Sequence, residues 1–474
     1  MIVANFINGT SAPATDVTTG LPVEQRTETS PLVDPATGIE FGRAVVSREI
    51  EVFYAVAAAA EAFKTWSRTT PGERQLALLK LADLLEARAG EVADAEVRET
   101  GKIRSVVLDE EIPQCVDQIR FFAGAARALG TAAAGEYIPG ATSYQRREAV
   151  GVIVQITPWN YPLMMAVWKI APALAAGNTV VVKPADTTPS STVLLATLAA
   201  EVLPAGVFNV VLGDRDTGRL LVEHPVPAMV SLTGSTRAGI EVARSAAATV
   251  KRTHLELGGN APVLVFDDVD VDATASGIVG AAYYNAGQDC TAATRVLVHA
   301  GVHDEFVAAL VKAASAQVPG VDFGPLNSRA QLDRVLGLVS RSSATVHCGG
   351  KQHGSAGFFL EPTVISGLSQ SDELVQEEPF APVITVQSFS SDDEAVALAN
   401  GVPQGLASSI WTRDTGRAAS LTARLDFGIV WVNTHGLVAS EMPHGGFGAS
   451  GYGKDLSMHG LEDYTRVKHV MIAH

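Results

Sequence analysis

The segment YNAGQDCTAATR, residues 284–295, surrounds one of only three cysteines in a chain of 474 residues. Small residues such as Gly287 and Thr291 flank Cys290, which leaves room for a substrate carbon to approach the sulfur. A thiolate is a strong nucleophile, but a free thiol with a pKa near about 8.5 needs a cation, a base or a helix N-terminus to ionise at neutral pH. Cys290 is therefore a candidate for covalent catalysis, with a buried structural thiol as the alternative.

Two further polar side chains could serve the same chemistry. Glu256 ends the predicted strand THLEL and precedes two glycines. A carboxylate there could activate water, with burial raising its pKa toward the useful range. Asn160, within TPWNYP, offers amide N–H groups that could stabilise an oxyanion. The alternatives are a solvated glutamate and a turn-forming asparagine.

Three unusual clusters follow predicted strands, namely TPWNYP (157–162), KPADTTP (183–189) and TGSTRAG (233–239). Ligands of open α/β sheets gather at the carboxyl ends of the strands. Ser235 and its flanking amides open a helix and could bind a phosphate, or Ser235 could only cap that helix. Lys183 and Asp186 could hold the hydroxyls of a nucleotide ribose, which favours NAD over NADP, or could form a surface ion pair.

The hydrophobic pattern indicates which elements would position these groups. Apolar residues recur at three- and four-residue spacing from about 47 to 128, which predicts helices. From residue 150 onward, short β-branched runs alternate with helical segments, which predicts parallel βαβ units. The predicted strands are 151–156, 179–183, 207–212, 228–232 and 253–257 in a first series, and 262–266, 295–299, 382–389, 406–411 and 428–433 in a second.

The two series predict two α/β domains that meet near residues 257–259, and clefts between domains are favoured ligand sites. The segment 136–149 is predicted to form a hairpin, and the tail EDYTRVKHVMIAH is expected to pair with the edge of a partner subunit. The segment GFGASG (446–451) matches GxGxxG, but no βαβ unit follows it. We therefore interpret it as a glycine-rich loop.

Composition argues against several classes of function. Apolar residues make up 47% and charged residues 18%, which is typical of a globular protein. The formal net charge of -16 argues against a nucleic-acid partner. No apolar run reaches the roughly 18 residues that a membrane span needs, and the segment MIVANFINGT lacks the features of a secretory signal.

Cysteine usage favours a reducing compartment. Cys115, Cys290 and Cys348 are too far apart for a CxxC metal knuckle, and their odd number does not suit a disulfide framework. Packing is the expected role of Cys115 and Cys348. We therefore expect a cytoplasmic protein with no metal site and no membrane partner.

These motifs, from TPWNYP to PHGGFGASGYGKD, closely resemble those of the NAD(P)-dependent aldehyde dehydrogenase superfamily across nearly the whole chain. NAGQDCTAATR, WVNTH and SEMPHGG most resemble the gamma-aminobutyraldehyde (1-pyrroline) dehydrogenases. The resemblance implies an α/β fold with two Rossmann-like parallel-sheet domains, a small β oligomerisation element and a homo-oligomer, either dimer or tetramer. It places the NAD-binding domain at 1–128 and 150–257, the catalytic domain at 258–448 and the oligomerisation element at 129–149 and 449–474.

The resemblance also implies roles for individual residues. Cys290 would be the nucleophile, Glu256 the general base, and Asn160 with the Cys290 amide the oxyanion hole. The thiolate would add to an aldehyde, hydride would pass to the nicotinamide, and water activated by Glu256 would release the acid. Lys169 and Asp455 match a proton relay of the family. The residues implied to contact NAD, with NADP as the second choice, are Ile156, Thr157, Pro158, Trp159, Lys183, Ala185, Asp186, Gly213, Thr233, Gly234, Ser235, Thr236, Leu257, Glu378 and Phe380.

The substrate side is implied in the same way. Tyr161, Met165, Trp168 and His444 match the family's substrate tunnel, and aromatic walls can attract an ammonium group. Glu111, in an acidic cluster at 109–111, could select amino-aldehydes, or these acids could only favour the dipole of a helix that begins there. The expected substrate is 4-aminobutyraldehyde or a related amino-aldehyde, with betaine aldehyde or general aliphatic and aromatic aldehydes as alternatives.

Other activities stay open at this point. Glu256 argues against a CoA-acylating enzyme, which would pass the thioester to a thiol. A cysteine hydrolase using Cys290 with His435 or His444 would need no nucleotide, and a catalytically silent protein could share the fold. Four departures from the family pattern concern cofactor preference and loop geometry: Asp186 for glutamate, Leu232 for phenylalanine, Ala381 for glycine and Gly448 for lysine.

Overall fold

The computed structural model describes residues 1–12, 28–130 and 133–474. The strands are β1 (Ile2–Val3), β2 (Asn5–Ile7), β3 (Thr10–Ala12), β4 (Thr29–Asp34), β5 (Ile39–Val45), β6 (Gly135–Ile138), β7 (Ala141–Ala149), β8 (Val152–Ile156), β9 (Thr179–Lys183), β10 (Phe208–Val210), β11 (Met229–Gly234), β12 (Arg252–Leu257), β13 (Pro262–Val265), β14 (Arg295–His299), β15 (Thr345–Cys348), β16 (Thr363–Ser366), β17 (Val383–Phe389), β18 (Gln404–Gly405), β19 (Ala407–Trp411), β20 (Ile429–Val432), β21 (Phe447–Gly448), β22 (Gly451–Tyr452) and β23 (Thr465–Ala473).

The α-helices within the described residues are α1 (Glu49–Trp66), α2 (Pro71–Ala87), α3 (Ala89–Thr100), α4 (Arg104–Val106), α5 (Ile112–Ala128), α6 (Pro162–Ala175), α7 (Ser190–Ala199), α8 (Arg215–Glu223), α9 (Thr236–Ala247), α10 (Val271–Tyr283), α11 (His303–Ser315), α12 (Arg329–Arg341), α13 (Glu373–Gln376), α14 (Asp392–Ala399), α15 (Thr415–Thr422) and α16 (Ser457–Asp463). Among the described residues, no helix has the length and apolar character needed to cross a membrane.

The first sheet has eight strands in the order β22-β12-β11-β8-β9-β10-β2-β3. Its five central strands, β12, β11, β8, β9 and β10, are parallel. Strand β9 shows why its sequence is β-branched throughout. Val180 and Val182 pack into the core on one face while Val181 packs into the core on the other, as a parallel sheet covered by helices on both faces requires.

The second sheet has seven strands in the order β15-β16-β17-β14-β13-β19-β20, parallel except for β15. Strand β13 again divides its side chains between two cores, with Val263 and Val265 on one face and Leu264 on the other. Two sheets of this kind confirm the predicted fold class. The strands β1 to β5, which the sequence pattern did not predict, add a three-stranded sheet in the order β1-β5-β4 and extend the first sheet through β2 and β3.

The small β element expected from the resemblance corresponds to a three-stranded antiparallel sheet in the order β23-β7-β6. The tail strand β23 pairs with β7 of the same chain over nine residues and forms the edge of this sheet, and pairing of its other side with a partner subunit stays a prediction. Strand β22 lies antiparallel to β12 in the first sheet. The segment 449–474 therefore does not belong wholly to the predicted oligomerisation element, and the other domain boundaries stay predictions.

The acidic cluster 109–111 does not begin a helix. Helix α4 continues through a π-helical turn, Val107–Glu111, into α5. Pro113 lies just after this turn, and proline lacks an N–H and crowds the carbonyl four residues before it, which favours a local widening of the helix. The dipole explanation for this cluster is therefore wrong, because these acids lie inside a continuous helical segment.

Candidate active site

The two sheets meet at the connection between β12 and β13, which contains Gly258, Gly259 and Asn260. A Cβ atom on Gly259 would stand 2.0 Å from the backbone oxygen of Cys290. Only glycine allows this close approach of backbone to backbone. The connection thereby places Cys290 against the end of β12, as the predicted junction near 257–259 required.

The turn before Cys290 explains the sequence YNAGQ. Asn285, Ala286 and Gly287 have φ angles of 49°, 56° and 65°, a left-handed conformation that asparagine and glycine tolerate best. The Asn285 side chain donates hydrogen bonds to the carbonyl of Asn160 at 3.0 Å and to that of Gln288 at 3.1 Å. The Gln288 side chain is fixed in turn by the backbone of Pro325 and of Asn327. These bonds hold an otherwise strained turn in place.

The Cys290 thiol is half-buried and surrounded by carboxylates. Burial raises the pKa of Cys290 well above its usual value, and the negative charges of Asp289, Glu378 and Glu256 raise it further. Among the described residues, no hydrogen bond joins its sulfur to a base. The activating cation or base that the sequence argument called for is not one of the hydrogen-bond partners of Cys290 among the described residues.

Glu256 is buried at the end of β12. Its Oε2 lies 3.5 Å from Nδ1 of His444, while its Oε1 has no hydrogen-bond partner among the described residues. Burial raises the pKa of Glu256, and His444 opposes that shift. The expected effect of burial on this carboxyl group is thus present, and a raised pKa suits a base that takes a proton from water.

Asn160 lies against the same turn. Its Nδ2 donates to the backbone carbonyl of Gln288 at 3.0 Å, two residues before Cys290, and the side chain is buried. An amide nitrogen carries two hydrogens, so one remains for another acceptor. The structure therefore brings Cys290, Glu256 and Asn160 into one region between the two sheets.

Lys169 and Asp455 form a completely buried ion pair at 3.1 Å. Asp455 also lies 3.2 Å from Nε2 of His254, which sits two residues before Glu256 on β12. His254, Glu256 and Asp455 are close enough together to suggest metal ligands. The ammonium group of Lys169 already supplies a positive charge to this cluster, so the carboxylates need no metal ion for charge compensation.

The residues expected to contact a dinucleotide lie at adjacent strand ends. In the parallel register, Ile156 at the end of β8 pairs with Lys183 of β9 and with Leu232 of β11, and Gly234 pairs with Leu257 of β12. The segments that follow these strands contain the remaining candidates of the first sheet: Thr157, Pro158, Trp159, Ala185, Asp186, Ser235 and Thr236, with Gly213 just after β10. The structure therefore gathers them at the carboxyl edge of one sheet, where such folds bind nucleotides.

Several of these side chains have groups available for a ligand. The hydroxyls of Thr157 and Thr233 are buried and lack a hydrogen-bond partner among the described residues. Lys183 is buried and donates to the Pro184 carbonyl at 2.7 Å. Burial lowers the pKa of Lys183 to about 8, although Asp186 opposes this shift. A polar ligand at this edge would satisfy groups that the chain itself leaves unpaired.

Ser235 is exposed at the start of α9, and its side-chain oxygen accepts a hydrogen bond from the backbone N–H of Ala238 at 3.2 Å. The capping role that the sequence left open is therefore present. Thr236 donates its hydroxyl to the carbonyl of Ala449 at 3.1 Å, which ties the helix start to the glycine-rich loop. The first-turn amides of α9 remain a suitable place for a phosphate.

Two of the candidates for contact with the dinucleotide, Glu378 and Phe380, lie on the side of the second sheet. The Glu378 carboxylate accepts a hydrogen bond from the N–H of Gly259 at 3.3 Å, and the ring of Phe380 packs edge-on against Trp159 with centroids 5.4 Å apart. These contacts cross the junction between the sheets. Candidates from both sheets are thus in contact across this junction.

The candidates for the aldehyde's far end lie on one face of α6. Tyr161, Met165 and Trp168 are spaced by four and three residues, and all are buried. The Trp168 indole packs against His444 with ring centroids 4.7 Å apart. The Tyr161 hydroxyl donates to Asp289 at 2.8 Å.

Glu111 is not a free carboxylate. It is buried and accepts two hydrogen bonds from the Lys102 ammonium at 2.8 and 2.9 Å. Glu96 lies 3.7 Å from the same ammonium, and Lys102 stands 4.0 Å above the ring of Tyr161. Burial raises the pKa of Glu111 to about 7, which Lys102 opposes. The expectation that Glu111 presents a free negative charge to an amino-aldehyde is wrong, because Lys102 already compensates it.

Sequence reasoning did not single out four residues of this region. Asp289 directly precedes Cys290, and this proximity is a signal that could have found it. The alternation in HLE puts His254 on the same strand face as Glu256. Asp463 gave no local signal, because its partner is 209 residues away, and the nine-residue separation of Lys102 and Glu111 is not that of neighbouring side chains on a helix.

The two histidines considered for a cysteine hydrolase are engaged elsewhere. His435 contacts the Ser409 hydroxyl at 2.8 Å and the Thr291 carbonyl at 2.6 Å through its two ring nitrogens. Burial lowers the pKa of His435 to about 4. His444 faces Glu256. Neither ring is hydrogen-bonded to Cys290 among the described residues, which disfavours a cysteine–histidine pair.

Comparison with known proteins agrees with this geometry. The model of the aldehyde dehydrogenase family matches residues 23–470. A betaine aldehyde dehydrogenase of Mesorhizobium japonicum is 39% identical, over 93% of this chain and 93% of that protein. The structure of an NAD+ complex of an aldehyde dehydrogenase from Bacillus cereus matches with a TM-score of 0.95 and 35% identity, over 100% of this chain and 97% of the other.

Lactaldehyde dehydrogenase from Escherichia coli matches with a TM-score of 0.94 and 33% identity, over 99% of both chains. The family model and the relatives each span nearly the whole chain. The expected enzyme class is therefore confirmed. This chain belongs to the aldehyde dehydrogenase family.

Proposed function

We propose that this protein oxidises an amino-aldehyde, with 4-aminobutyraldehyde as the expected representative, to the carboxylic acid with NAD. The overall change is RCHO + NAD+ + H2O to RCOO−, NADH and two protons. Family membership supports the reaction class. The charge next to Cys290 supports the choice of a cationic substrate, and that charge is the observation on which this proposal depends.

The polar groups at the carboxyl edge of the first sheet suit a dinucleotide. The unpaired hydroxyls of Thr157 and Thr233, together with Lys183, would bind its polar groups, and Glu378 would hold the ribose near the ring. The first-turn amides of α9 would hold the pyrophosphate. A bound NAD would supply an acceptor for the hydride of the substrate carbon. The similarity to a protein solved as an NAD+ complex supports NAD as the cofactor.

The chain's own residues would divide the work as follows. The Cys290 thiol would lose its proton to water, its sulfur would bond to the aldehyde carbon, and the C=O π electrons would move to the oxygen, to which Asn160 and the Cys290 amide donate hydrogen bonds. After oxidation the acyl group is a thioester on Cys290. Glu256 takes a proton from water, the water oxygen bonds to the acyl carbon, and the carbon–sulfur bond breaks. Lys169 and Asp455 would act in a proton relay that carries protons away from Glu256.

Asp289 is the carboxylate that could recognise an ammonium group. It is half-buried, adjacent to Cys290 in sequence, and bonded to the hydroxyl of Tyr161 at 2.8 Å. Unlike Glu111, it has no lysine or arginine partner among the described ion pairs. A cation near it would gain electrostatic attraction in a poorly solvated place, and the rings of Tyr161 and Trp168 would add to this attraction.

The test compares kcat/KM for 4-aminobutyraldehyde and for pentanal, a neutral aldehyde of similar length, in the wild type and in Asp289→Asn. We expect the wild type to prefer the amino-aldehyde at least tenfold and the variant to lose that preference while keeping its rate with pentanal within about threefold. Glu110→Gln, an exposed acid near Tyr284, serves as the matched control. Equal rates for both aldehydes in the wild type would exclude the amino-aldehyde assignment and leave the family activity.

Betaine aldehyde is the second candidate substrate. The relative from Mesorhizobium japonicum is named for this activity, and a quaternary ammonium group suits an aromatic enclosure such as Tyr161 with Trp168. A quaternary group cannot donate hydrogen bonds, so it depends less on Asp289 than a primary ammonium does. A kcat/KM for betaine aldehyde above that for 4-aminobutyraldehyde would favour this candidate.

The oligomeric state and the cellular location of the protein also stay proposals. The sheet of β6, β7 and β23 exposes apolar side chains, Tyr137, Met471 and Ile472 among them, which supports a homo-oligomer, dimer or tetramer, formed through this sheet. We also propose a cytoplasmic location, which cysteine usage supports.

A further inference from the structure

The described residues contain a buried histidine that the proposed reaction does not use. His435 follows β20 and packs against the ring of Trp431 with ring centroids 4.7 Å apart. Its Nε2 lies 2.6 Å from the carbonyl oxygen of Thr291, the residue directly after Cys290. A carbonyl oxygen can only accept a hydrogen bond, so Nε2 carries the hydrogen. His435 therefore holds the backbone next to the nucleophile.

The other ring nitrogen of His435 is held from the second sheet. Nδ1 lies 2.8 Å from the hydroxyl of Ser409 on β19. Burial lowers the pKa of His435 to about 4, although the Thr291 carbonyl and Asp289 oppose this shift. The ring is therefore neutral at pH 7, and Nδ1 accepts the hydroxyl hydrogen. The Ser409 oxygen in turn accepts a hydrogen bond from Nε1 of Trp411 at 3.1 Å.

The peptide between Thr291 and Ala292 continues this series of hydrogen bonds toward the nucleophile. Its carbonyl accepts from His435, and its N–H, on Ala292, donates to the carbonyl of Asp289 at 3.1 Å. The Asp289 carbonyl belongs to the peptide whose N–H is the Cys290 amide. A trans peptide is planar, with its C=O and N–H pointing in opposite directions. Fixing the Asp289 carbonyl therefore also fixes the direction of the Cys290 N–H.

The Cys290 amide lies at the inner end of this chain of hydrogen bonds. Among the described residues it donates to no carbonyl of another residue, and the proposed reaction assigns it to the substrate oxygen. Each hydrogen bond in such a chain polarises the next one, so a bond at the outer end strengthens the donor at the inner end. A donor that is held in a fixed direction before the reaction is what stabilises an oxyanion.

We propose that His435 is a positioning residue of the oxyanion site, which directs the Cys290 amide toward the substrate oxygen through the peptide between Thr291 and Ala292. This inference rests on the proposed function. An oxyanion forms when the Cys290 sulfur adds to the carbonyl carbon and again when water adds to the thioester, so both steps depend on this amide. His435 exchanges no proton in this role and keeps one tautomer throughout.

The test compares two reactions of the Cys290 thiol. Acylation by 4-nitrophenyl acetate passes through an oxyanion, and the initial burst of 4-nitrophenol reports its rate without NAD. Alkylation by iodoacetamide displaces iodide from a saturated carbon and forms no oxyanion. A loss of oxyanion stabilisation therefore slows the first reaction alone, whereas a general disturbance of the backbone around Cys290 slows both.

The variants separate the hydrogen bond of His435 from its packing. His435→Phe keeps an aromatic ring against Trp431 but has no donor, whereas His435→Gln has an amide nitrogen that can take the place of Nε2. Thr179→Val is the matched control at the amino end of β9, because it removes a buried hydroxyl that donates to the carbonyl of Ala59 at 2.9 Å. His435→Phe and Thr179→Val thus each take one side-chain donor from a backbone carbonyl.

We expect His435→Phe to lower the rate constant of the burst about tenfold, a part of the roughly 100- to 1,000-fold that is lost when an oxyanion donor is removed outright. Its rate of alkylation should match that of the wild type. His435→Gln should recover most of the acylation rate, and Thr179→Val should match the wild type in both reactions.

Three results would overturn the inference: a burst in His435→Phe as fast as in Thr179→Val, an equal loss of acylation and alkylation, or no recovery in His435→Gln. If His435→Phe fails to fold, Ser409→Ala decides, because it removes the donor to Nδ1 and should slow acylation alone by about threefold. An unchanged acylation rate in Ser409→Ala would then contradict the role of His435.

Failure of the proposed function is a different outcome. The wild type would then show neither an acetylated Cys290 by mass spectrometry nor NADH formation with any aldehyde.

Discussion

At the scale of single residues, the charge state of each group depends on its neighbours. Burial and three carboxylates raise the pKa of the Cys290 thiol. Lys102 shares its charge between Glu96 and Glu111 in a buried cluster. We therefore propose Asp289 as the acidic group that meets a cationic substrate, although Glu111 is the more conspicuous acid in the sequence.

The raised pKa of Cys290 predicts how it reacts with an alkylating reagent. The thiolate fraction of a group with a raised pKa is small at pH 7 and grows as the pH rises, so the rate of alkylation by iodoacetamide should increase about tenfold per pH unit between 7 and 9. Mass spectrometry of the peptide containing Cys290 measures this rate. Cys115, which is buried, serves as the internal control and should stay unmodified. A pH-independent rate would show that the thiol is activated in the free enzyme.

The buried cluster predicts a large loss of stability on removing its cation. Lys102→Met leaves Glu96 and Glu111 buried without compensation, and breaking a buried pair in this way costs about 3–5 kcal/mol. The midpoint of thermal unfolding should therefore fall by several degrees. Lys64→Met removes an exposed lysine paired with Glu61 on one helix face and should change stability by less than about 0.5 kcal/mol. Equal midpoints for the two variants would contradict the cluster's role.

At the scale of elements, the site depends on how closely the connection from β12 to β13 approaches the turn that carries Cys290. The strand ends bring the candidates together because parallel strands share a carboxyl edge. The left-handed turn at Asn285 then directs the following residues back toward Asn160. The functional groups thus sit on turns whose shape the neighbouring strands maintain.

This close approach predicts that Gly259→Ala lowers activity strongly, although the substitution adds only one methyl group. The added Cβ would stand 2.0 Å from the Cys290 carbonyl, so the backbone on one side must shift. A displacement of about 1 Å at the reacting centre can cost on the order of 100-fold in rate. We expect kcat to fall by that order in Gly259→Ala. Gly124→Ala on α5 is the control, because nothing lies within 4 Å of its Cβ position, and wild-type kcat in both variants would contradict the argument.

At the scale of the whole molecule, two sheets with helices on both faces form the body of the protein, and β23 pairs with β7 to form a smaller sheet with exposed apolar side chains. Family membership and the two-sheet architecture confirm the fold and enzyme class expected from the motifs. The roles of individual site residues stay predictions.

The exposed sheet predicts how oligomerisation can be disrupted. Ile472→Asp places a charge on β23, where Ile472 is exposed in the single chain. If the sheet joins subunits, a buried unpaired charge would weaken the interface, and the molar mass measured by light scattering should fall. Val321→Asp introduces the same charge at an exposed position away from this sheet and should leave the mass unchanged. An unchanged mass in Ile472→Asp, with an oligomeric wild type, would place the interface elsewhere.

The sequence by itself determined the chemical groups and the elements that carry them. Strands such as TVVVK and the turn YNAGQ follow from local preferences, because β-branched residues suit a doubly covered strand and asparagine and glycine suit a left-handed turn. The tertiary structure alone decided which charges compensate each other. His254 and Asp463 meet across 209 residues of sequence, and Lys102, in the loop between α3 and α4, meets both Glu96 of α3 and Glu111 of the π-helical turn. Burial and distant partners set the charge of a group, and neither is encoded in the residues next to it.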